Sequence, residues 1–213
     1  MALTFNKRDT LSVVSAYNVP TATSIYLNKG DIINVDKIIE TVGLPCFVKP
    51  NNAGSSFGIS KAHTKEAIIP AIETAYKEDS EILIESFLDG TEVSVGVIQY
   101  KGETKVLPIT EIVTENDFFD YEAKYLGKSE EITPARLTNK QEEKVIKVAK
   151  RVYEILNMSG FSRSEYILVN DEPHFLEMNT VPGLTEASIL PQQAQKAGIT
   201  LTKLFSNAIE SCF

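Results

Sequence analysis

Two short runs near the C-terminal end constrain the fold of this chain most strongly. Residues 162–169 and 174–179 are rich in strand-forming side chains, and the link 170–173, Asn-Asp-Glu-Pro, consists of turn residues. The two runs therefore predict an antiparallel β-hairpin.

The polar side chains of this hairpin fall on one face. Because side chains alternate along a strand, Arg163 and Glu165 share a face of the first strand, and Glu177 and Asn179 share a face of the second. An odd number of turn residues sets Glu165 directly opposite Glu177. Two carboxylates at that spacing repel each other unless a cation lies between them.

A hard divalent cation suits such a carboxylate pair. Mg²⁺ in particular is held by few carboxylates together with phosphate oxygens. The sequence therefore predicts a magnesium site on the hairpin. The alternative is a polar hairpin face that contacts only water.

The charge balance limits the partners. The chain has 21 Lys and Arg against 29 Asp and Glu, a net charge of −8, with no basic block. We therefore expect no nucleic acid and no membrane as a partner. The two cysteines, Cys46 and Cys212, lack metal-type spacing, and a reducing cytoplasm is the expected location.

The order of predicted elements indicates two lobes. The first lobe, residues 1–88, contains predicted strands at 44–49, 59–62 and 82–85 and predicted helices at 6–18 and 64–76. The second helix begins at the Thr64 cap or, as the alternative, with Pro70 in its first turn. The second lobe, residues 89–213, contains a predicted hairpin around 101–103, a helix that begins at the Thr138–Gln141 capping box and ends at Gly160, and a final helix near 200–210. The predicted fold class is α+β.

The loop 51–58 lies between two predicted strands. A Walker loop or a Rossmann turn would lead from a strand into a helix, and neither motif occurs. The two glycines of the loop allow close backbone approach, and Ser55 and Ser56 supply hydroxyl and amide donors for a phosphate. Lys49 precedes the loop in an apolar strand, where a phosphate would neutralise it. An ordinary turn loop is the alternative.

Two glutamates flank the expected lobe boundary. Glu85 ends an apolar strand, and Glu92 begins the second lobe. The extended backbone between them could hydrogen-bond an adenine edge, with Glu92 accepting from ribose hydroxyls. For either glutamate alone, a surface carboxylate at a strand end is the alternative.

Three motifs resemble the ATP-grasp superfamily and, within it, the D-alanine–D-alanine ligase family. They are Val-Lys-Pro at 48–50 continued by Gly-Ser-Ser-Phe-Gly at 54–58, Phe-Asp-Tyr-Glu-Ala-Lys-Tyr at 119–125, and Leu-Glu-Met-Asn-Thr-Val-Pro-Gly-Leu-Thr at 176–185. The resemblance covers nearly all of the chain from about residue 6. It implies two α/β lobes whose antiparallel sheets hold ATP between them.

The resemblance also implies a reaction. ATP phosphorylates the carboxylate of one D-alanine, and the amine of a second D-alanine attacks the acyl phosphate, which makes a dipeptide for peptidoglycan precursors. The implied partners are ATP and D-alanine, the implied cofactor is two Mg²⁺ ions with Mn²⁺ as an alternative, and the full-length protein is expected to be a homodimer.

The resemblance assigns roles by position. Glu165, Glu177 and Asn179 hold the metal ions; Lys7, Lys49, Ser56 and Lys124 bind phosphate; Glu85 and Glu92 bind adenine and ribose; Arg163 and the Gly183 amide stabilise an oxyanion; Ser55, Tyr125 and Ser188 orient the substrates.

The chain departs from the family pattern in places. Glu165 stands where the family usually has an aspartate, which offers the same oxygens on a shorter side chain. A preceding α/β domain that helps to bind the first D-alanine is absent, so we expect a fragment that binds Mg²⁺–ATP but is a poor ligase alone. The alternatives are a nucleotide-binding module without turnover, and another carboxylate–amine ligase of the same fold.

Overall fold

A computed structural model of the chain describes residues 1–114, 129–211 and 213. The described helices are α1 Ala2–Phe5, α2 Lys7–Ala16, α3 Val35–Val42, α4 Lys65–Glu78, α5 Asn139–Ile155, α6 Ile189–Lys196 and α7 Leu201–Glu210. The described strands are β1 Ser24–Asn28, β2 Cys46–Pro50, β3 Ser60–Ala62, β4 Glu81–Ser86, β5 Thr91–Tyr100, β6 Glu103–Val106, β7 Thr110–Thr114, β8 Ser129–Ile132, β9 Phe161–Val169 and β10 Glu172–Asn179. The predicted α+β class is confirmed. Lys124, Tyr125 and Cys212 lie outside the described residues.

The smaller sheet has four antiparallel strands in the order β1-β4-β2-β3. Val48 and Ile84 on its outer face belong to an apolar core that includes residues of α3 and α4. Because side chains alternate, Lys49 and Glu85 project from the inner face. The alternation therefore presents charge on one side of this sheet and apolar side chains on the other.

The larger sheet has six described strands, in the order β10-β9-β5-β7-β8 with β6 also paired to β5. One face, with Val93 and Tyr166, packs against α2 and α5 to form the main core. Leu11 of α2 and Leu83 of the smaller sheet belong to the same core. Helix α2 therefore shares its packing with both sheets, and the division at residue 88 stays a prediction.

Among the described residues, helices cover the other face of the larger sheet at one end only. Ile98 and Leu107 pack there against Leu190 of α6 and Leu204 of α7. The uncovered end faces the smaller sheet and carries acidic side chains. This half-covered face is what positions the site.

Helix α5 shows where local sequence decides an element and where it does not. The Thr138–Gln141 capping box is present in full, as predicted. The helix ends at Ile155, with Leu156 as its cap and Asn157 at a φ of 51°, so the expected end at Gly160 is wrong. Asparagine tolerates this left-handed conformation and stops the helix first.

The short link between β4 and β5 passes close to the larger sheet. A Cβ added at Gly90 would lie 2.0 Å from the carbonyl oxygen of Leu168, so only glycine fits there. Across the described part of the chain, no helix combines the length and the apolar character that crossing a membrane requires.

Candidate nucleotide and metal site

A cleft lies between the inner face of the smaller sheet and the acidic end of the larger one. It encloses about 800 Å³ of empty space, part of which is open to solvent. Within the described residues, the charged side chains that line it are Lys7, Lys49, Glu85, Glu92, Glu165 and Glu177. Each of these was singled out from the sequence, and Ser56 lines the same cleft. The fold thus gathers residues from both sheets, from α2 and from the loop 51–58 in one place.

The hairpin of β9 and β10 sets Glu165 directly opposite Glu177, and the predicted pairing is confirmed. The turn is shorter than predicted, because it has only the residues 170–171, both at positive φ as a type I′ turn requires. An even turn alone would pair Glu165 with Leu176. A β-bulge between Phe175 and Glu177 shifts the register and brings the two carboxylates together.

Arg163 neutralises part of this carboxylate pair. Its Nη2 donates to Glu165 Oε1 at 2.9 Å, and the two side chains are 15% and 5% exposed. On the neighbouring strand β5, Ser94 lies opposite Glu165 and Gly96 lies opposite Arg163. Arg163 and Glu165 therefore form a nearly buried ion pair on the cleft face.

Lys49 has a protein partner. Its Nζ lies 2.6 Å from Glu85 Oε2, with side chains 17% and 6% exposed. Glu85 is thus a partner that the sequence reasoning did not foresee, and the assignment of Lys49 to phosphate stays a prediction. Burial acts to lower the pKa of Lys49, but Glu85, with further contributions from Glu177 and Glu92, outweighs it and raises the pKa. Lys49 is a fixed cation in the cleft.

The loop 51–58 is held at several points. Lys7 Nζ donates to the carbonyl oxygen of Ala53 at 2.8 Å, which ties the start of α2 to the loop. Ser55 and Ser56 have φ of 51° and 60°, which is the left-handed conformation. In turns that contain this conformation, successive backbone N–H groups can form a concavity that binds an anion. Ser56 faces the cleft, while Ser55 is not among its lining residues.

Side chains at the base of the loop fix its position. Asn51 accepts from the backbone N–H of Arg8 at 2.8 Å and donates to Glu81 at 2.8 Å. Asp79 accepts from both the backbone and the side-chain N–H groups of Asn52. Burial acts to raise the pKa of Asp79, but these bonds and one from the Glu81 backbone outweigh it and lower the pKa.

Three further residues that were predicted for the site follow Glu177 in the chain, and they are Asn179, Gly183 and Ser188. Asn179 ends β10, Gly183 lies between β10 and α6, and Ser188 directly precedes α6. None of the three lines the cleft. Asn179 Oδ1 accepts from the backbone N–H of Val181 at 2.9 Å and keeps one lone pair. A Cβ at Gly183 would lie 2.7 Å from Ser188 Oγ, so this turn packs tightly against the start of α6. Asn179, Gly183 and Ser188 therefore all belong to the stretch of chain that leads from the end of β10 to the start of α6.

Some cleft residues were not singled out from the sequence. Phe47 and Leu176 line the cleft. Side-chain alternation along β2 would have placed Phe47 on the same face as Lys49. The β-bulge that exposes Leu176 is not indicated by the sequence around it. Glu131 was also missed. Its pKa is raised, chiefly because burial removes water from the carboxylate, while Arg163 acts to lower it and Glu165 to raise it.

The donor set on the hairpin fits a hard cation that also binds phosphate. Two facing carboxylates and a nearby amide oxygen are all-oxygen donors, and they leave coordination positions for phosphate or water. In the described ranges, no group of three or more His, Cys, Asp or Glu forms a self-sufficient metal cluster. The site therefore suits an ion that arrives with a phosphorylated ligand.

Comparison with known proteins gives the family. The family model described as "D-ala D-ala ligase C-terminus" matches residues 13–210. The chain belongs to the D-Ala–D-Ala ligase C-terminus family. A curated D-alanine–D-alanine ligase of Flavobacterium johnsoniae is 68% identical over 209 residues, which make up 98% of this chain and 65% of that protein. The chain thus spans less than two thirds of that relative's length.

Solved members of the ligase family share the fold. A D-alanine–D-alanine ligase from Bacillus anthracis complexed with ATP has a TM-score of 0.83 and 29% identity, covering 98% of this chain and 65% of that one. The VanG D-Ala:D-Ser ligase from Enterococcus faecalis has a TM-score of 0.86 and 32% identity, covering 98% of this chain and 62% of that one. The ATP-grasp fold expected from the motifs is confirmed.

Proposed function

We propose that this chain binds ATP with a divalent cation in the cleft and forms the nucleotide-binding part of an ATP-dependent D-alanine–D-alanine ligase. One observation carries the proposal: Glu165 lies opposite Glu177 in a cleft whose other wall presents Lys49. Facing carboxylates favour a cation between them, in addition to Arg163 beside Glu165, and lysines suit phosphate oxygens. The names of the family relatives supply D-alanine as the substrate.

The metal ligands in this proposal are Glu165, Glu177 and Asn179. Mg²⁺ fits best, with two ions as the expected number and Mn²⁺ as the alternative. When bound, the metal would neutralise phosphate charge.

The remaining assignments concern phosphate, nucleoside and substrates. We assign Lys7, Lys49, Ser56 and Lys124 to phosphate, Glu85 and Glu92 to adenine and ribose, Arg163 and the Gly183 amide to the oxyanion, and Ser55, Tyr125 and Ser188 to substrate orientation. Phosphoryl transfer depends on positioning and on charge neutralisation more than on covalent chemistry. The ion pairs that fix Lys49 and Arg163 serve both needs.

The test is phosphate release from ATP, measured with this chain and with a version extended to the length of its relatives. The extended protein should release phosphate only when D-alanine is added, and this chain should bind Mg²⁺–ATP with little turnover. Bound ATP without D-alanine-dependent phosphate release in the extended protein would contradict the ligase proposal and favour a module without turnover.

A second substrate of different chemistry is the other candidate. The VanG relative is named a D-Ala:D-Ser ligase, so D-serine belongs in the same screen as D-alanine. Phosphate release with a different amine acceptor would identify another ligase of this fold.

The cellular setting follows from the proposed chemistry. ATP is made and used inside cells, so we assign the reaction to the cytoplasm and its product to peptidoglycan precursor synthesis. Cys46 is a buried free thiol whose pKa burial raises, which fits a reduced, unreactive cysteine. A homodimer of the longer protein stays a prediction.

A further inference from the structure

Two buried polar atoms on the cleft face lack a hydrogen-bond partner. They are Ser94 Oγ and Arg163 Nε, and neither is paired within the described residues. Leaving a buried donor unpaired is unfavourable, so each such atom in a native protein calls for an explanation, and a functional role is one of them. Both atoms lie beside Glu165.

The strand register shows how close these groups are. Ser94 lies directly opposite Glu165, and Arg163 lies one pair further along the same face. Directly opposite residues in an antiparallel pair have Cβ atoms about 5 Å apart, which a serine hydroxyl and a glutamate carboxylate together can span. Ser94 is fully buried, so its hydroxyl has few other directions available.

The other neighbour of Ser94 on this face is already bonded. Thr110 lies opposite Ser94 on β7. Its hydroxyl contacts the Thr133 hydroxyl at 2.7 Å and accepts from Gln193 Nε2 at 2.9 Å. Glu165, directly opposite on the neighbouring strand, is a suitable acceptor for the Ser94 hydroxyl.

The backbone of Ser94 is fixed by α6. Strand β5 pairs with β7 as far as Ser94 and with β6 from Val97 onward, which leaves a gap between these partners. The Gln193 side chain fills the gap, donating to the Ser94 carbonyl at 2.8 Å and accepting from the Gly96 N–H at 2.9 Å. Ser94 therefore presents its side chain to the cleft face from a rigid position.

We propose that Ser94 is a positioning residue for Glu165 in the metal-bound site. In the structure, Glu165 Oε1 accepts from Arg163 Nη2. When Glu165 gives one oxygen to a divalent cation, the Ser94 hydroxyl and the Arg163 Nε–H bind its other oxygen and hold the carboxylate in place. Partners of this kind around a metal ligand typically change metal affinity by about 10–100-fold when removed. This inference rests on the proposed function.

The experiment compares Ser94→Ala with Ser164→Ala. Ser164 lies between Arg163 and Glu165 in the chain and is equally buried, but it pairs with Val95 on the helix-covered face. Binding of Mn²⁺ to the chain with ADP is measured by electron paramagnetic resonance, and binding of ADP alone is measured in EDTA. Thermal unfolding of each variant shows that it folds.

Ser94→Ala should bind Mn²⁺ about 10-fold more weakly with unchanged ADP binding in EDTA. Ser164→Ala should match the wild-type chain, and Ser94→Thr, which keeps the hydroxyl, should restore affinity. A folded Ser94→Ala variant with wild-type Mn²⁺ affinity would overturn the inference and leave the proposed function intact. A wild-type chain that binds ADP but no Mn²⁺ would overturn both.

Discussion

The buried ion pair of Lys49 and Glu85 gives the sharpest stability prediction. At a separation of 2.6 Å, the two charges attract by roughly 6 kcal/mol at an effective dielectric constant of about 20. Desolvation of both groups cancels much of this attraction, so the intact pair contributes little net stability. Removing one partner is different, because it leaves the other charge buried and uncompensated.

Lys49→Met should therefore lower the free energy of unfolding by about 3–5 kcal/mol. Among the described residues, the Glu85 side chain, 6% exposed, would then keep the Ser24 hydroxyl at 3.5 Å as its side-chain partner. For a chain of this size, such a loss lowers Tm by roughly 6–20 °C. Urea unfolding followed by circular dichroism, in EDTA and without nucleotide, measures the loss in the free energy of unfolding.

Two further variants distinguish the loss of the Lys49–Glu85 charge pair from the loss of side-chain packing. Glu85→Gln should cost less than Lys49→Met, because Glu92 and Glu177 still act on the Lys49 charge. The double variant Lys49→Met/Glu85→Gln should recover about half of the loss, because no charge is left unpaired at this position. A loss below about 1 kcal/mol for Lys49→Met, the size of an exposed ion pair, would refute the reasoning.

Three other predictions concern residues around the site. Glu131→Gln should stabilise the chain at pH 7.5 but not at pH 4. Because the pKa of Glu131 is raised in the folded chain, ionising this carboxyl lowers the stability of the fold as the pH rises. The control Glu130→Gln, at an exposed position, should leave the stability unchanged at both pH values. Asp79→Ala should be destabilising at pH 6 and less so as the pH falls into the acid range, because a lowered pKa gives stability that acid removes; a loss in urea unfolding that does not change with pH would contradict this. Gln193→Leu removes the side-chain hydrogen bonds to the Ser94 carbonyl and the buried Gly96 N–H and should cost about 2 kcal/mol in thermal unfolding, whereas exposed Gln195→Leu should be neutral.

Much of the site was predictable because its residues sit on regular strands. Alternation alone placed Arg163 and Glu165 on one face, and the Thr138–Gln141 capping box marked the start of α5. The facing of Glu165 and Glu177 was predicted correctly for an incorrect reason. A bulge, rather than an odd turn, supplies the extra residue.

The features that were not predicted from the sequence depend mostly on contacts between residues that are far apart in the chain. The Lys49–Glu85 pair joins two strands of the smaller sheet, and local sequence does not show which strands are neighbours. Helix α6 was not predicted, although Ser188 precedes it, Gly198 follows it, and Pro191 lies in its first turn, where proline is tolerated. The role of Gln193 follows only from the gap beside β5.

The central claim is that Glu165 and Glu177 face each other in order to hold a divalent cation with a nucleotide. The most direct test is anomalous X-ray diffraction from crystals of this chain grown with Mn²⁺ and ADP. A manganese peak bridging these two carboxylates and a phosphate oxygen is the predicted result. Nucleotide bound in the cleft with no manganese between the two glutamates would contradict the claim.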